Sequence, residues 1–108
     1  MRLGITEYVD CAHFLPDHAK CGRLHGHTYK VEVVIEGDKS GGMVVDFSDL
    51  KAETRKVLQE YDHRSWNDVL DYPSVENICE LLSRQLKQRL DLPFVIRVWE
   101  GHGKWAEI

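Results

Sequence analysis

Four of the six histidines in this chain fall between His13 and His27. Residues two apart on a strand point the same way, about 6.6–6.8 Å apart, so His25 and His27 can converge on one ion. Gly26 between them removes side-chain bulk from the opposite face. His13 ends the preceding extended segment and returns as a third ligand if the two strands pair antiparallel. Three neutral imidazoles suit Zn²⁺, and three protein ligands leave one position open for water or substrate, as catalytic sites require. The competing reading of His-x-His is plain polar alternation along a strand. A third histidine at a strand end moves the balance towards metal.

Cys21 lies four residues before His25, between Lys20 and Arg23. Neighbouring cations favour a thiolate, so Cys21 reads as a general base, a zinc ligand or an unreactive loop cysteine. Cys11 and Cys79 lie in apolar patterns and read as small core residues. In Asp62-His63 a carboxylate beside an imidazole can fix its tautomer and suit it to proton transfer, although adjacent side chains often point apart. Glu100 ends the run Phe94, Ile96, Val98. It is either a solvated strand terminus, which the strand alone favours, or a buried acceptor for a guanidine-type N–H pair.

The elements that position these residues follow from periodicity. Residues 2–13 read as a strand and 14–24 as a loop. From 25 to 36 the alternation is clear, with His25, His27, Tyr29, Val31, Val33 and Ile35 on one face. A turn at 38–42 leads to a short extended segment, Met43 to Phe47. Ser48 is the expected N-cap of a helix whose apolar stripe is Leu50, Thr54, Val57, Leu58 and Tyr61. A polar loop, 62–72, precedes a second helix that starts at Pro73-Ser74 and buries Val75, Ile78, Cys79, Leu82, Leu86 and Leu90. Strands at 94–100 and 104–108 complete the order ββααββ. The fold class is therefore α+β: an antiparallel four-stranded sheet with two helices on one face, in a single domain over 1–108. Two helices cover only one side of such a sheet, so oligomerisation is expected to cover the rest.

Fourteen basic and eighteen acidic residues give 108 residues a net charge of −4. That balance argues against a nucleic-acid or anionic-membrane partner. No stretch approaches the ~20 apolar residues of a membrane helix, and no signal-peptide pattern opens the chain, so a cytoplasmic location is expected. Three cysteines cannot form a complete internal disulfide framework.

Together, Cys11-Ala-His13, Lys20-Cys-Gly-Arg-Leu-His-Gly-His-Thr-Tyr29, Met43-Val-Val-Asp-Phe47, Tyr61-Asp-His-Arg64 with Asn67, Pro73-Ser-Val-Glu-Asn-Ile78 and Val98-Trp-Glu100 span the chain. In this order they resemble the 6-pyruvoyl-tetrahydropterin synthase superfamily. Three residues between Cys21 and His25 match its 6-carboxy-tetrahydropterin branch. The resemblance implies a T-fold whose sheets assemble into an oligomeric barrel, a homohexamer built as a dimer of trimers, with active sites between subunits. It implies His13, His25 and His27 as zinc ligands and Cys21, Asp62 and His63 as the proton-transfer set. Glu100 would anchor a pterin ring, helped by Glu76 and Ser74. The implied reaction converts 7,8-dihydroneopterin triphosphate to 6-carboxytetrahydropterin, acetaldehyde and triphosphate. Rival readings are a pyruvoyl-type or dihydroneopterin aldolase-like activity on the same fold, a non-catalytic pterin- or zinc-binding module, and a cysteine hydrolase. The stretch from His13 to Cys21 is contracted relative to most of the family. Lys20, Arg23 and Arg64 are candidates for holding the triphosphate. His18 has no implied role and reads as a solvated loop histidine.

Overall fold

The computed structural model describes residues 1–108. Strands β1 (Arg2–His13) and β2 (His25–Glu36) run antiparallel along their whole lengths. The alternation in β2 turns Tyr29, Val31, Val33 and Ile35 inward, where none is more than 1% exposed. Helices α1 (Phe47–Leu58) and α2 (Val75–Lys87) follow, then strands β3 (Phe94–Glu100) and β4 (Lys104–Glu107). The sheet order is β1-β2-β3-β4, antiparallel throughout, with both helices packed over one apolar core.

The helix starts follow capping chemistry. Ser74 caps α2, its hydroxyl accepting the Asn77 N–H at 3.2 Å. Ile78, Cys79, Leu82 and Leu86 then face the sheet, and each fully buried aliphatic side chain contributes roughly 1.5–3 kcal/mol. For α1 the expected cap is displaced. Asp46, not Ser48, is the N-cap, and its carboxylate accepts the Ser48 N–H at 2.7 Å. Both residue types can cap, and an ionised carboxylate also favours the positive end of the helix. The expected extended segment 43–47 is consequently reduced to one bridge between Ser40 and Met43.

The core takes in residues whose burial the pattern does not announce. Trp66, inside the expected polar loop, opens a 3₁₀ turn (Trp66–Asp68) and is 1% exposed. Glu7 points inward from β1 and meets Arg55 at 3.0 Å and Lys51 at 3.7 Å, both from α1. Cys11 and Cys79 are core residues as expected. Burial pushes the Cys11 thiol up to about 12 and the Cys79 thiol up to about 11.

The other face of the sheet carries Tyr8, Lys30, Trp99 and Trp105, with no helix over it. The Lys30 ammonium stands 4.5 Å above the Trp99 ring, and the Arg97 guanidinium 4.2 Å above Trp105. Tyr8 remains 57% and Trp105 47% exposed. No helix is long and apolar enough to cross a membrane.

Candidate functional site

The β1–β2 register sets His13 opposite His25 and Cys11 opposite His27. All three imidazoles therefore stand together on the core face, at the end of the hairpin. Their ring centroids are 4.6, 5.1 and 4.8 Å apart, and one ligating atom from each lies within 4.8 Å of the others. His13 is 1% exposed.

Hydrogen bonds fix which nitrogens face inward. His13 Nδ1 lies 2.8 Å from the Pro73 carbonyl, and His25 Nδ1 lies 2.6 Å from the Arg23 carbonyl. A carbonyl oxygen only accepts, so both Nδ1 atoms carry protons and both Nε2 atoms present lone pairs. The Nε2 atoms of His13 and His27 are buried without a hydrogen-bond partner, an arrangement that costs free energy unless something binds there. Burial holds the His27 imidazole below its usual value; the Glu100 carboxylate opposes this, while His13 and His25 reinforce it. The neutral, ligating form is thereby favoured. This donor set fits a metal ion.

Glu100 joins the same cluster. Its pairing with Tyr29 brings its carboxylate to 3.7 Å from His27 Nε2 and 3.9 Å from His13 Nε2. Lys104 approaches it at 3.6 Å, and the Glu100 side chain is only 14% exposed. The expectation of a solvated terminus is overturned: Glu100 is a half-enclosed acceptor beside the imidazoles. Tyr29 and Trp66, packed edge to face at 5.8 Å, lie beneath.

Asp62 and His63 also meet, with Oδ2 3.1 Å from Nδ1. The Asp10 backbone N–H, donating to Asp62 Oδ1 at 3.0 Å, and the adjacent His63 hold the Asp62 carboxyl below its ordinary range. His63 takes φ +61°, a left-handed conformation secured by its N–H donating to the Asp10 carbonyl at 2.6 Å. His63 borders a cleft of about 560 Å³ that is lined also by Asp10, Cys11, Ala12, Gly26, His27, Thr28, Arg64 and Ser65. By strand alternation Asp10, Ala12, Gly26 and Thr28 belong to the sheet face opposite the imidazoles. The cleft therefore lies mainly on that opposite face and meets the histidine triad at His27.

Cys21 is half-buried in the 14–24 loop and lines neither that cleft nor the triad. Ser74 commits its hydroxyl to capping α2, and Glu76 is exposed in the first turn. The Pro73–His13 bond ties this helix start to the triad. Of the candidate cations, Arg64 reaches the His63 cleft, while Arg23 supplies the carbonyl that orients His25. Asn67 grips Phe14 through both backbone groups, each at 2.9 Å. Its place in the motif Tyr61-Asp-His-Arg64 plus Asn67 was the signal, because nothing in the residue type alone marks that role.

The sequence profile of the 6-pyruvoyl tetrahydropterin synthase family matches residues 2–108. A protein of Archaeoglobus fulgidus with the provisional name 6-carboxy-5,6,7,8-tetrahydropterin synthase is 42% identical over 109 residues, covering 100% of this chain and 95% of its own. A dihydroneopterin monophosphate aldolase of Pyrococcus furiosus is 39% identical over 88 residues, 79% of this chain and 77% of its own. In three dimensions, the Caenorhabditis elegans 6-pyruvoyl tetrahydropterin synthase superposes with a TM-score of 0.90 at 22% identity, over 100% of this chain and 94% of that one. The architecture is that of the T-fold.

Proposed function

Because the chain belongs to the 6-pyruvoyl tetrahydropterin synthase family, we propose that it is a zinc-dependent 6-carboxy-5,6,7,8-tetrahydropterin synthase. It would act as a single unit over 1–108, taking 7,8-dihydroneopterin triphosphate and water to 6-carboxytetrahydropterin, acetaldehyde and triphosphate, in the cytoplasm and for queuosine-type 7-deazapurine synthesis. The observation that carries this reading is the adjacency of two recognition groups. A three-imidazole cluster with inward lone pairs stands beside a shielded carboxylate, Glu100, that can accept the paired N–H groups of a pterin.

His13, His25 and His27 would hold the zinc. Bound there, it would acidify the side-chain hydroxyls of the substrate and stabilise oxyanions as they form. Glu100 orients the ring, with Ser74 and Glu76 completing its seat at the start of α2. Cys21 as thiolate and His63, oriented by Asp62, exchange protons on the two sides of the substrate side chain. Arg64, and with it Lys20 and Arg23, would neutralise phosphate. Cys21, which within one chain lines neither the His63 cleft nor the triad, supports an active site shared between subunits, in a homohexamer of two trimers. The uncovered sheet face with Tyr8 and Trp105 supports the same assembly.

A second reading, aldolase cleavage of a dihydroneopterin phosphate, is favoured by the Pyrococcus furiosus relative. Mass analysis of products from zinc-loaded protein and dihydroneopterin triphosphate separates the two. A 6-carboxy product with acetaldehyde is expected; a 6-hydroxymethyl or 6-pyruvoyl product would sink the proposal.

A further inference from the structure

The loop that carries Cys21 is only eleven residues long, 14–24, yet its backbone is heavily committed. Asn67 fixes its entry at Phe14. The His18 N–H donates to the Leu15 carbonyl at 3.1 Å, and the Leu15 N–H donates to the Cys21 carbonyl at 2.8 Å. Between these, Asp17 turns the chain at φ +64°, a conformation that Asp tolerates better than most residues. The His18 side chain then folds back on its own loop. Its Nδ1 accepts the Cys21 N–H at 2.9 Å and, more weakly, the Lys20 N–H at 3.2 Å.

Both N–H groups point at Nδ1, so this nitrogen acts as an acceptor within the loop. The following residue closes the arrangement. A Cβ on Gly22 would stand 2.5 Å from the His18 carbonyl oxygen, a distance that no side chain tolerates, so only glycine fits. Both peptide groups of Cys21 are therefore bound, one by the His18 ring and one by Leu15. The thiol is the one group of Cys21 with no hydrogen bond inside the chain.

We propose that His18 is the positioning residue of Cys21: its Nδ1 replaces a missing turn of secondary structure and fixes the direction in which the thiol leaves the loop. The proposal rests on the reading of Cys21 as a proton-transfer group. An exposed ring that accepts from the backbone two and three residues on is doing more than a solvated histidine would. Its geometric demand is an acceptor at Nδ1, not a charge and not a ring. Proton transfer in turn depends steeply on placing the donor within hydrogen-bond reach of the reacting atom, so a loosened loop costs turnover before it costs binding.

The test compares the zinc-loaded assembly of wild type, H18A, H18F and H18N. Three quantities are read: kcat and KM, zinc content, and the rate at which iodoacetamide modifies Cys21, followed on its own peptide. H18A and H18F are expected to lower kcat at least tenfold with KM changed less than threefold. Zinc should stay at the wild-type level and Cys21 should alkylate at least fivefold faster. H18N, whose amide oxygen can accept where Nδ1 did, returns kcat and alkylation to within threefold of wild type. H18F keeps the ring volume, which gives a second reading should H18A misfold. Unchanged Cys21 alkylation in H18A and H18F overturns the proposal, and so does an H18N that behaves like H18A. Wild-type turnover in C21S would instead remove the catalytic reading of Cys21, while the alkylation series still decides the link to His18.

Discussion

Replacing Asn67 by alanine tests how firmly the end of β1 is held. The side-chain amide makes two 2.9 Å bonds to Phe14, accepting from its N–H and donating to its carbonyl, one residue after the ligand candidate His13. The Asn67 backbone N–H keeps its separate bond to Ser65 Oγ at 3.2 Å, so the 3₁₀ turn survives the change. Each lost hydrogen bond removes about 1 kcal/mol net, and a half-buried group left unpaired adds up to about 1 kcal/mol more, so N67A should lose about 2–4 kcal/mol. For a domain of this size that is a fall of about 10 °C or more in the melting midpoint. N67D is the discriminating partner. It keeps an acceptor for the Phe14 N–H but turns a carboxylate oxygen towards the Phe14 carbonyl, so it recovers less than half of the loss. Thermal unfolding of metal-free protein measures both, and a zinc competition titration should show weaker binding in the same order. An N67A midpoint within about 2 °C of wild type would refute the reasoning, because each bond counted above would then be worth almost nothing.

Removing metal should destabilise the protein. With free zinc at a hundred times its dissociation constant, ligation contributes about 2.7 kcal/mol, on the order of 10 °C, which a chelator abolishes and added zinc restores. A midpoint indifferent to chelation would argue against binding at His13, His25 and His27. Asp62 carries a pH signature. Its carboxyl is held below the ordinary 3.8, so its contribution is complete above that value and is lost as the pH falls through the lower folded-state value. Urea midpoints of wild type and D62N should therefore differ by a constant amount near neutrality and converge in acid; a gap that persists undiminished to about pH 2 would contradict the assignment.

Much of this architecture is legible in the residues because the sheet alternates cleanly where it is buried on one side. The run from His25 to Ile35 gives away both the strand and the shared face of two histidines. What the sequence leaves hidden depends on pairing across distance. The strand pattern alone leaves Glu100 open between a solvated end and a buried acceptor; the family motif singles it out, and its register with Tyr29 places it beside the imidazoles. Glu7 looks like a solvent residue until α1 brings Arg55 and Lys51 over it. Trp66 vanishes into a polar stretch because a single 3₁₀ turn buries one side chain without any period to announce it. The choice between Asp46 and Ser48 as helix cap is local but degenerate, since either residue can do it. His18 shows a third kind of concealment: its role comes from a backward turn through Asp17, which no periodicity records.

The two faces of the β1–β2 hairpin carry different side chains, three imidazoles on one and Asp10 and Thr28, beside His63, on the other. The hairpin thus has a reading frame of two. Deleting or inserting one residue within these strands would exchange the contents of the faces beyond it, turning imidazoles outward and Asp10 or Thr28 inward. A change of length in the 14–24 connection leaves both faces intact, but it breaks the Leu15 and His18 bonds that hold Cys21. Within the strands, changes of length keep the faces only in pairs.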